Sequence, residues 1–196
     1  VLSQHIQRLG LNAEVERGKS VDTFRVHYLL ENEPKVSIII PTKNNKSLLK
    51  RCIESIENNT NYKNFEIIIV DNNTTDDETL EYYNSLGYEI ILYKDAFNFS
   101  KMNNLGVTKA HGDYILCLND DTKALEPSWL TEMVSICEQD DVGIVGAKLL
   151  HTNGTIQHAR AVFLKSGSGF HVFENIMENE KGFFNLHNVI RNFSAV

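Results

Sequence analysis

The chain is poor in cysteine and in positive charge, and it has no long apolar run. Its three cysteines, Cys52, Cys117 and Cys137, are odd in number, far apart and free of any Cys-x-x-Cys spacing. That pattern excludes a disulfide framework and predicts buried free thiols in a reducing compartment. Lys and Arg total 19 against 26 Asp and Glu, a formal net charge of −7. A duplex nucleic-acid binder needs a basic face, so that class is disfavoured. The balance still leaves room for a small anion held through a metal and a few local lysines. No stretch approaches the ~18 apolar residues that cross a membrane. No secretory pattern opens the chain, and the expectation is a cytoplasmic protein. No Gly-x-Gly-x-x-Gly or Gly-Lys-Ser/Thr loop follows the first β-like run, which disfavours a dinucleotide dehydrogenase and a P-loop enzyme. There is no internal repeat and no low-complexity tract.

What is present is ordinary for a globular domain: 196 residues, 42% hydrophobic and 23% charged, enough for a substantial core. Residues 1–34 read as an appendage with a short helix through Ile6 and Leu9 stopped at Gly10. A turn at Arg17-Gly18-Lys19-Ser20 follows, then an edge strand alternating Phe24, Val26 and Tyr28. From Lys35 onward strands and helices alternate. Val36–Ile40 is a β-branched run ended by Pro41. Lys46–Glu57 places Leu48, Leu49, Cys52, Ile53 and Ile56 on one helical face. Phe65–Val70 is a second strand, and Thr75 with Glu78 forms a capping box for a helix through Leu86. Ile90–Tyr93, a helix over Ser100–Ala110 and a strand over Tyr114–Leu118 come next. A helix over Pro127–Glu138, with Pro at its start, turns Trp129, Leu130, Met133, Val134 and Cys137 inward. Val142–Ala147 reads as a fifth strand. The alternation predicts an α/β fold, a Rossmann-like, mostly parallel sheet flanked by helices. Beyond Lys148 the pattern is less regular: a turn at Asn153-Gly154, a loop marked by Gly167 and Gly169, and a strand beginning at Asn192–Val196.

The chemistry gathers at strand ends. Tyr114–Leu118 reads as a strand covered on both faces that runs directly into Asn119, Asp120 and Asp121. Carboxylates at the end of a buried strand are costly unless paired, and a hard divalent cation is a fitting partner. An extended backbone would point Asn119 and Asp121 one way and Asp120 the other. A polar strand end feeding a solvated turn is the simpler alternative. The first strand ends in Pro41-Thr42-Lys43-Asn44 and the second in Asp71-Asn72-Asn73. Ligands of open α/β sheets bind at such carboxyl ends. Asp71 could accept a ring N–H from a uracil or thymine, or could cap the loop of residues 72–76. Lys43 and Lys101 could face a phosphate or solvent. His158 and His171 are weighed between metal ligation and simple hydrogen bonding.

The ordered set Val36-Ser37-Ile38-Ile39-Ile40-Pro41-Thr42-Lys43-Asn44, Asp71-Asn72-Asn73, Phe97-Asn98-Phe99-Ser100-Lys101-Met102-Asn103-Asn104 and Asn119-Asp120-Asp121-Thr122 resembles family 2 glycosyltransferases of the GT-A fold. Glu126-Pro127-Ser128-Trp129-Leu130, Gly143–Leu150 and Gly154-Thr155-Ile156-Gln157-His158-Ala159 resemble the rhamnosyltransferase-like branch of O-antigen and capsule synthesis. The resemblance covers residues 35–165. It implies a donor site bordered by Pro41, Thr42, Asn44, Asp71, Asn73, Lys101, Asn104, Asn119 and Asp120. It also implies Mg²⁺ or Mn²⁺ on Asp121, bridging the donor diphosphate of a UDP- or dTDP-sugar. The acceptor would be a glycan or lipid-linked, and inverting transfer would need a carboxylate base. Two departures stand out: Asn119 at the first position of the Asp-x-Asp site, and Arg160 after Gln157-His158-Ala159. None of Glu126, Glu132, Glu138, Asp140, Asp141, Glu174, Glu178 or Glu180 resembles the family's base. The expectation is therefore a GT-A domain over 35–196, C-terminally incomplete, with base and any peripheral membrane contact beyond Val196. A sugar nucleotidyltransferase is less well matched, because Pro41-Thr42-Lys43-Asn44-Asn45 is not a Gly-rich basic loop. A non-catalytic nucleotide-sugar-binding module of a longer chain is the remaining alternative.

Overall fold

A computed structural model describes residues 1–192 apart from 22, 181 and 183. The chain forms two compact units, Glu31–Thr131 and Val1–Leu30 with Glu132–Val196. In the second of these, α1 (Leu2–Leu9) ends at Gly10, whose φ of 68° is the left-handed cap that glycine adopts freely. Strands β1 (Ala13–Arg17) and β2 (Phe24–Tyr28) pair antiparallel, Ala13 opposite Tyr28 and Arg17 opposite Phe24. The expected edge strand thus gains a partner, β1, whose short run holds Val15 as its one large apolar residue.

The unit of residues 31–131 holds the core. Its strands are β3 (Val36–Thr42), β4 (Phe65–Asp71), β5 (Glu89–Leu92) and β6 (Tyr114–Cys117). They form one sheet in the order β5-β4-β3-β6, with every pairing parallel. All seven residues of β3 are buried, as its central place and β-branched run demand. Its strand runs through Pro41 rather than stopping there. The β3–β6 ladder ends at the pair Ile39–Cys117, with Leu118 N–H donating to the Ile39 carbonyl. Backbone groups alternate sides along a strand, so the N–H that Pro41 lacks would have pointed past that end and no ladder bond is lost.

Helices α2 (Lys46–Asn58), α3 (Asp77–Ser85) and α4 (Phe99–Val107) provide the crossovers. Right-handed connection puts α2 and α3 on one face and α4 on the other. Met102 of α4 packs with Ile39, Val70 and Tyr93 in one buried cluster. The predicted capping box at Thr75 is displaced by one residue. Asp76 is the N-cap, accepting from the Thr79 N–H at 2.9 Å and from the Thr79 hydroxyl. A carboxylate is at least as good a cap as a hydroxyl, and Thr75 is engaged with Asn44 instead.

Three further expectations are corrected. β6 is an edge strand with alternate residues exposed, so it is not covered on both faces. Cys52 alone is a buried thiol; Cys117 is exposed and Cys137 half-buried. Residues 142–147 form no strand. Gly143 and Gly146 bring no side chains to a sheet and carry a high entropic cost of ordering.

Helix α5 (Trp129–Cys137) buries Leu130 and Val134. Short hairpins follow, β7 (Leu149–Leu150) with β8 (Ile156–His158) and β9 (Ala161–Phe163) with β10 (Gly169–His171). The loop expected at Gly167 is the turn of that last hairpin, with Gly167 at φ 85°. The strand expected at Asn192–Val196 lies, from residue 193, outside the described residues. No helix among the described residues is long and apolar enough to cross a membrane.

Candidate functional site

The strand order places one chain reversal between β3 and β6. From β3 the chain steps outward to β4 and β5, then α4 carries it back across to β6. Loops leaving the carboxyl ends of β3 and β6 therefore diverge and leave a crevice, the usual ligand position of such sheets. An open cleft of about 510 Å³ lies there, lined by Pro41, Thr42, Lys43, Phe97, Phe99, Asn119, Asp120 and Asp121.

The acidic stretch closes into a turn in place of an extended strand end, with Thr122 N–H donating to the Asn119 carbonyl at 3.2 Å. Even so, its side chains segregate. Asp120 is half-buried and accepts from the Thr42 hydroxyl at 2.6 Å and from Asn45 Nδ2 at 3.4 Å. Asn119 and Asp121 are exposed. Beneath them, Cys52 of α2 donates its thiol to the Asn119 carbonyl at 3.6 Å. Burial pushes the Cys52 thiol up to about 12, and the charges of Asp120 and Asp121 add to that. The turn thus rests on a neutral, inert thiol. Among the described residues, no three His, Cys, Asp or Glu side chains gather as a cation-binding group.

Asp71 sits at the end of β4 opposite Thr42. Strand alternation turns both residues to the face covered by α2 and α3. There the buried Asp71 carboxylate accepts from the Thr74 N–H at 3.0 Å, from the Thr74 hydroxyl, and from Tyr83 Oη of α3 at 3.0 Å. Burial raises the Tyr83 phenol well above its ordinary value, and the neighbouring Asp71 charge acts in the same sense. Asp71 caps the loop that follows it and does not line the cleft. Asn44, at φ 49°, accepts with Oδ1 from the N–H groups of Thr75 and Asp76, clasping the same loop. Asn73 is exposed at φ 57°. Lys101 and Asn104 are exposed on α4 outside the cleft lining.

The histidines pair with each other. The Nδ1 atoms of His158 and His171 lie 2.7 Å apart, and burial followed by the His171 charge holds His158 below its ordinary value. Arg160, between β8 and β9, accepts from the Val172 N–H through its carbonyl.

Sequence reasoning assigned no role to three groups near the cleft. Asn45 braces Asp120. Buried Asn72 donates to the carbonyls of Tyr93 and Asp95. Phe97 and Phe99 line the cleft while 70% and 45% exposed. The aromatic alternation around Asn98 was the available signal.

Residues 37–195 match the family model described as Glycosyl transferase family 2. An uncharacterized protein, y4gI, of Sinorhizobium fredii is 35% identical over all of this chain and 22% of its own length. The O-antigen biosynthesis protein RfbC of Myxococcus xanthus is 38% identical over 90% of this chain and 14% of its own length. The chain thus spans less than a quarter of either relative. A mannosyltransferase of Pyrobaculum calidifontis, solved with GDP-Man and Mn²⁺, superposes with a TM-score of 0.50 at 20% identity, over 58% of this chain and 35% of that one. That likeness is one of fold, the GT-A arrangement.

Proposed function

The chain belongs to glycosyl transferase family 2, and from that premise we propose that it forms the donor-binding part of a metal-dependent, inverting glycosyltransferase. The donor is a UDP- or dTDP-sugar. The acceptor is a glycan or lipid-linked saccharide of bacterial cell-surface polysaccharide synthesis, made on the cytoplasmic side. The observation carrying this reading is the cleft that Pro41–Lys43 and the acidic turn Asn119–Asp121 line together at the reversal of strand order. Its relationship to an O-antigen biosynthesis protein supports the polysaccharide context.

The residues present fit a hard cation that is only partly held by protein. Asp121 offers exposed carboxylate oxygens and Asn119 a neutral amide oxygen at the cleft wall. Mg²⁺ or Mn²⁺ is commonly held by one or two carboxylates, with phosphate oxygens completing the shell. When bound, such a cation stabilises a departing diphosphate as a Lewis acid. Asp120, fixed by Thr42 and Asn45, is assigned to accept from ribose hydroxyls. Lys43, exposed on the cleft wall, offsets phosphate charge. Asp71, already engaged by Thr74 and Tyr83, is assigned to shaping the loop that follows it.

Among the described residues, the carboxylates lining the cleft are Asp120 and Asp121, and both are assigned to the donor. The base that deprotonates the acceptor is therefore assigned to residues outside this cleft. General-base help contributes about 10²–10⁴-fold, and that share of the rate is assigned to the carboxylate outside the cleft. Calorimetry of UDP with and without Mn²⁺ tests the assignment. The parent chain should bind more tightly with Mn²⁺, and Asp121→Ala should lose that increment. An undiminished Mn²⁺ effect in Asp121→Ala would overturn it.

A further inference from the structure

Phe97 and Phe99 are large apolar side chains held out on the cleft wall, where solvent exposure would favour their collapse onto the core. The backbone does not let them collapse. Asn72, itself buried, donates from one amide nitrogen to the Tyr93 carbonyl at 3.3 Å and the Asp95 carbonyl at 3.0 Å. Tyr93 Oη donates to the Ala96 carbonyl at 3.3 Å. The loop leading to Phe97 is thus fastened to the end of β4. On the other side Asn98 caps α4, accepting from the Lys101 N–H at 3.0 Å, and Asn103 Nδ2 donates to the Phe99 carbonyl at 2.9 Å. Both rings are presented by a braced segment and not by a loose one.

The rest of the cleft lining is polar at Lys43, Asn119, Asp120 and Asp121. A ligand filling this cleft needs one flat face free of hydrogen-bonding groups and, given a cation on Asp121, one end rich in acceptor oxygens. A nucleoside diphosphate has both, since the π-face of a base lacks donors and acceptors and the diphosphate supplies the oxygens. Resting on the donor-binding reading above, we infer that Phe97 and Phe99 form the stacking surface for the nucleobase, and that Asn72 is the positioning residue that presents Phe97. Stacking accepts any base, so these rings supply affinity without choosing among nucleotides.

The test is calorimetry in Mn²⁺ with UDP, GDP and inorganic pyrophosphate as probes. Phe97→Ala and Phe99→Ala should each weaken UDP and GDP by a similar factor, about 5- to 140-fold. Pyrophosphate affinity should stay at the parent value, and Phe97→Trp should keep nucleotide binding. Asn72→Ala should weaken the nucleotides and spare pyrophosphate. Unchanged UDP and GDP affinity in both alanine variants would overturn the inference while leaving the donor site standing. Equal losses for pyrophosphate would overturn it too, as general damage to the site. A parent chain that binds neither nucleotide would instead defeat the donor-binding reading itself.

Discussion

Thr42 and Asp120 lie 78 residues apart in sequence, yet the Thr42 hydroxyl donates to the Asp120 carboxylate at 2.6 Å. This bond joins the carboxyl end of β3 to the turn after β6, across the reversal in strand order. A hydrogen bond to a charged group contributes about 1.5–3 kcal/mol when well shielded. Asp120 is half-buried, so solvent reduces that to about 1 kcal/mol. Thr42→Val keeps the shape and removes the donor. It should lower unfolding free energy by about that amount in urea and weaken UDP binding in Mn²⁺, because the turn loses its tether. Thr42→Ser should restore both.

His27 of β2 stands between two carboxylates. Its Nδ1 is 2.7 Å from Glu132 and its Nε2 2.6 Å from Glu16, while Arg25 also reaches Glu132 at 3.2 Å. The bond to Glu16 raises the imidazole above its ordinary value of 6.5; burial opposes this and Glu132 reinforces it. A group raised on folding stabilises fully below its unfolded value and loses that contribution as pH rises through the folded one. Thermal stability should therefore fall as pH climbs above 6.5. His27→Gln should flatten that limb, leaving Arg25 as the remaining partner of Glu132.

Much of the sheet was legible because its signals were local. Val36–Ile40 and Phe65–Val70 are β-branched runs long enough to declare buried strands, and their polar ends name the crevice. What stayed hidden depended on partners. Nothing in Asp71-Asn72-Asn73 reveals that Tyr83 will meet Asp71 from α3 or that Asn72 will clamp the loop before Phe97. Strand β1 was concealed because its Glu residues suit an exposed hairpin face, which carries little hydrophobic contrast. The run at Val142–Ala147 looked like a strand from Val, Ile and Val alone, but glycines interrupt it and among the described residues no neighbouring strand pairs with it.

At the amino end of the sheet, Glu66 accepts from Lys35 Nζ and Ser37 Oγ, both at 2.6 Å, and from the His111 N–H at 2.7 Å. Burial pushes its carboxyl up, but these donors together outweigh that and bring it from 4.5 to about 2. A depressed acid stabilises above its unfolded value and loses that contribution as pH falls toward its folded one. The urea midpoint should drop as pH is lowered from 4.5 to about 2. Glu66→Gln should be less stable at neutral pH and show a shallower acid limb.

Gly106 decides how closely α4 can approach the sheet. In an open helix, Gly→Ala stabilises by about 1 kcal/mol through backbone entropy. Here a Cβ would overlap the Ile39 Cγ2 methyl and lie 3.2 Å from Ile39 Cδ1 and Val70 Cγ2. Ile39 is fully buried in β3, and its β-branched side chain has little freedom to turn away. Overpacking of this kind costs about 1–3 kcal/mol, so the clash outweighs the propensity gain and Gly106→Ala should destabilise on balance. A double-mutant cycle with Ile39→Ala separates the two effects. Removing the Ile39 branches leaves a cavity that the new methyl partly fills, so the double variant should lose less stability than the sum of the singles. Strict additivity in urea unfolding would show that α4 lifts off the sheet without strain.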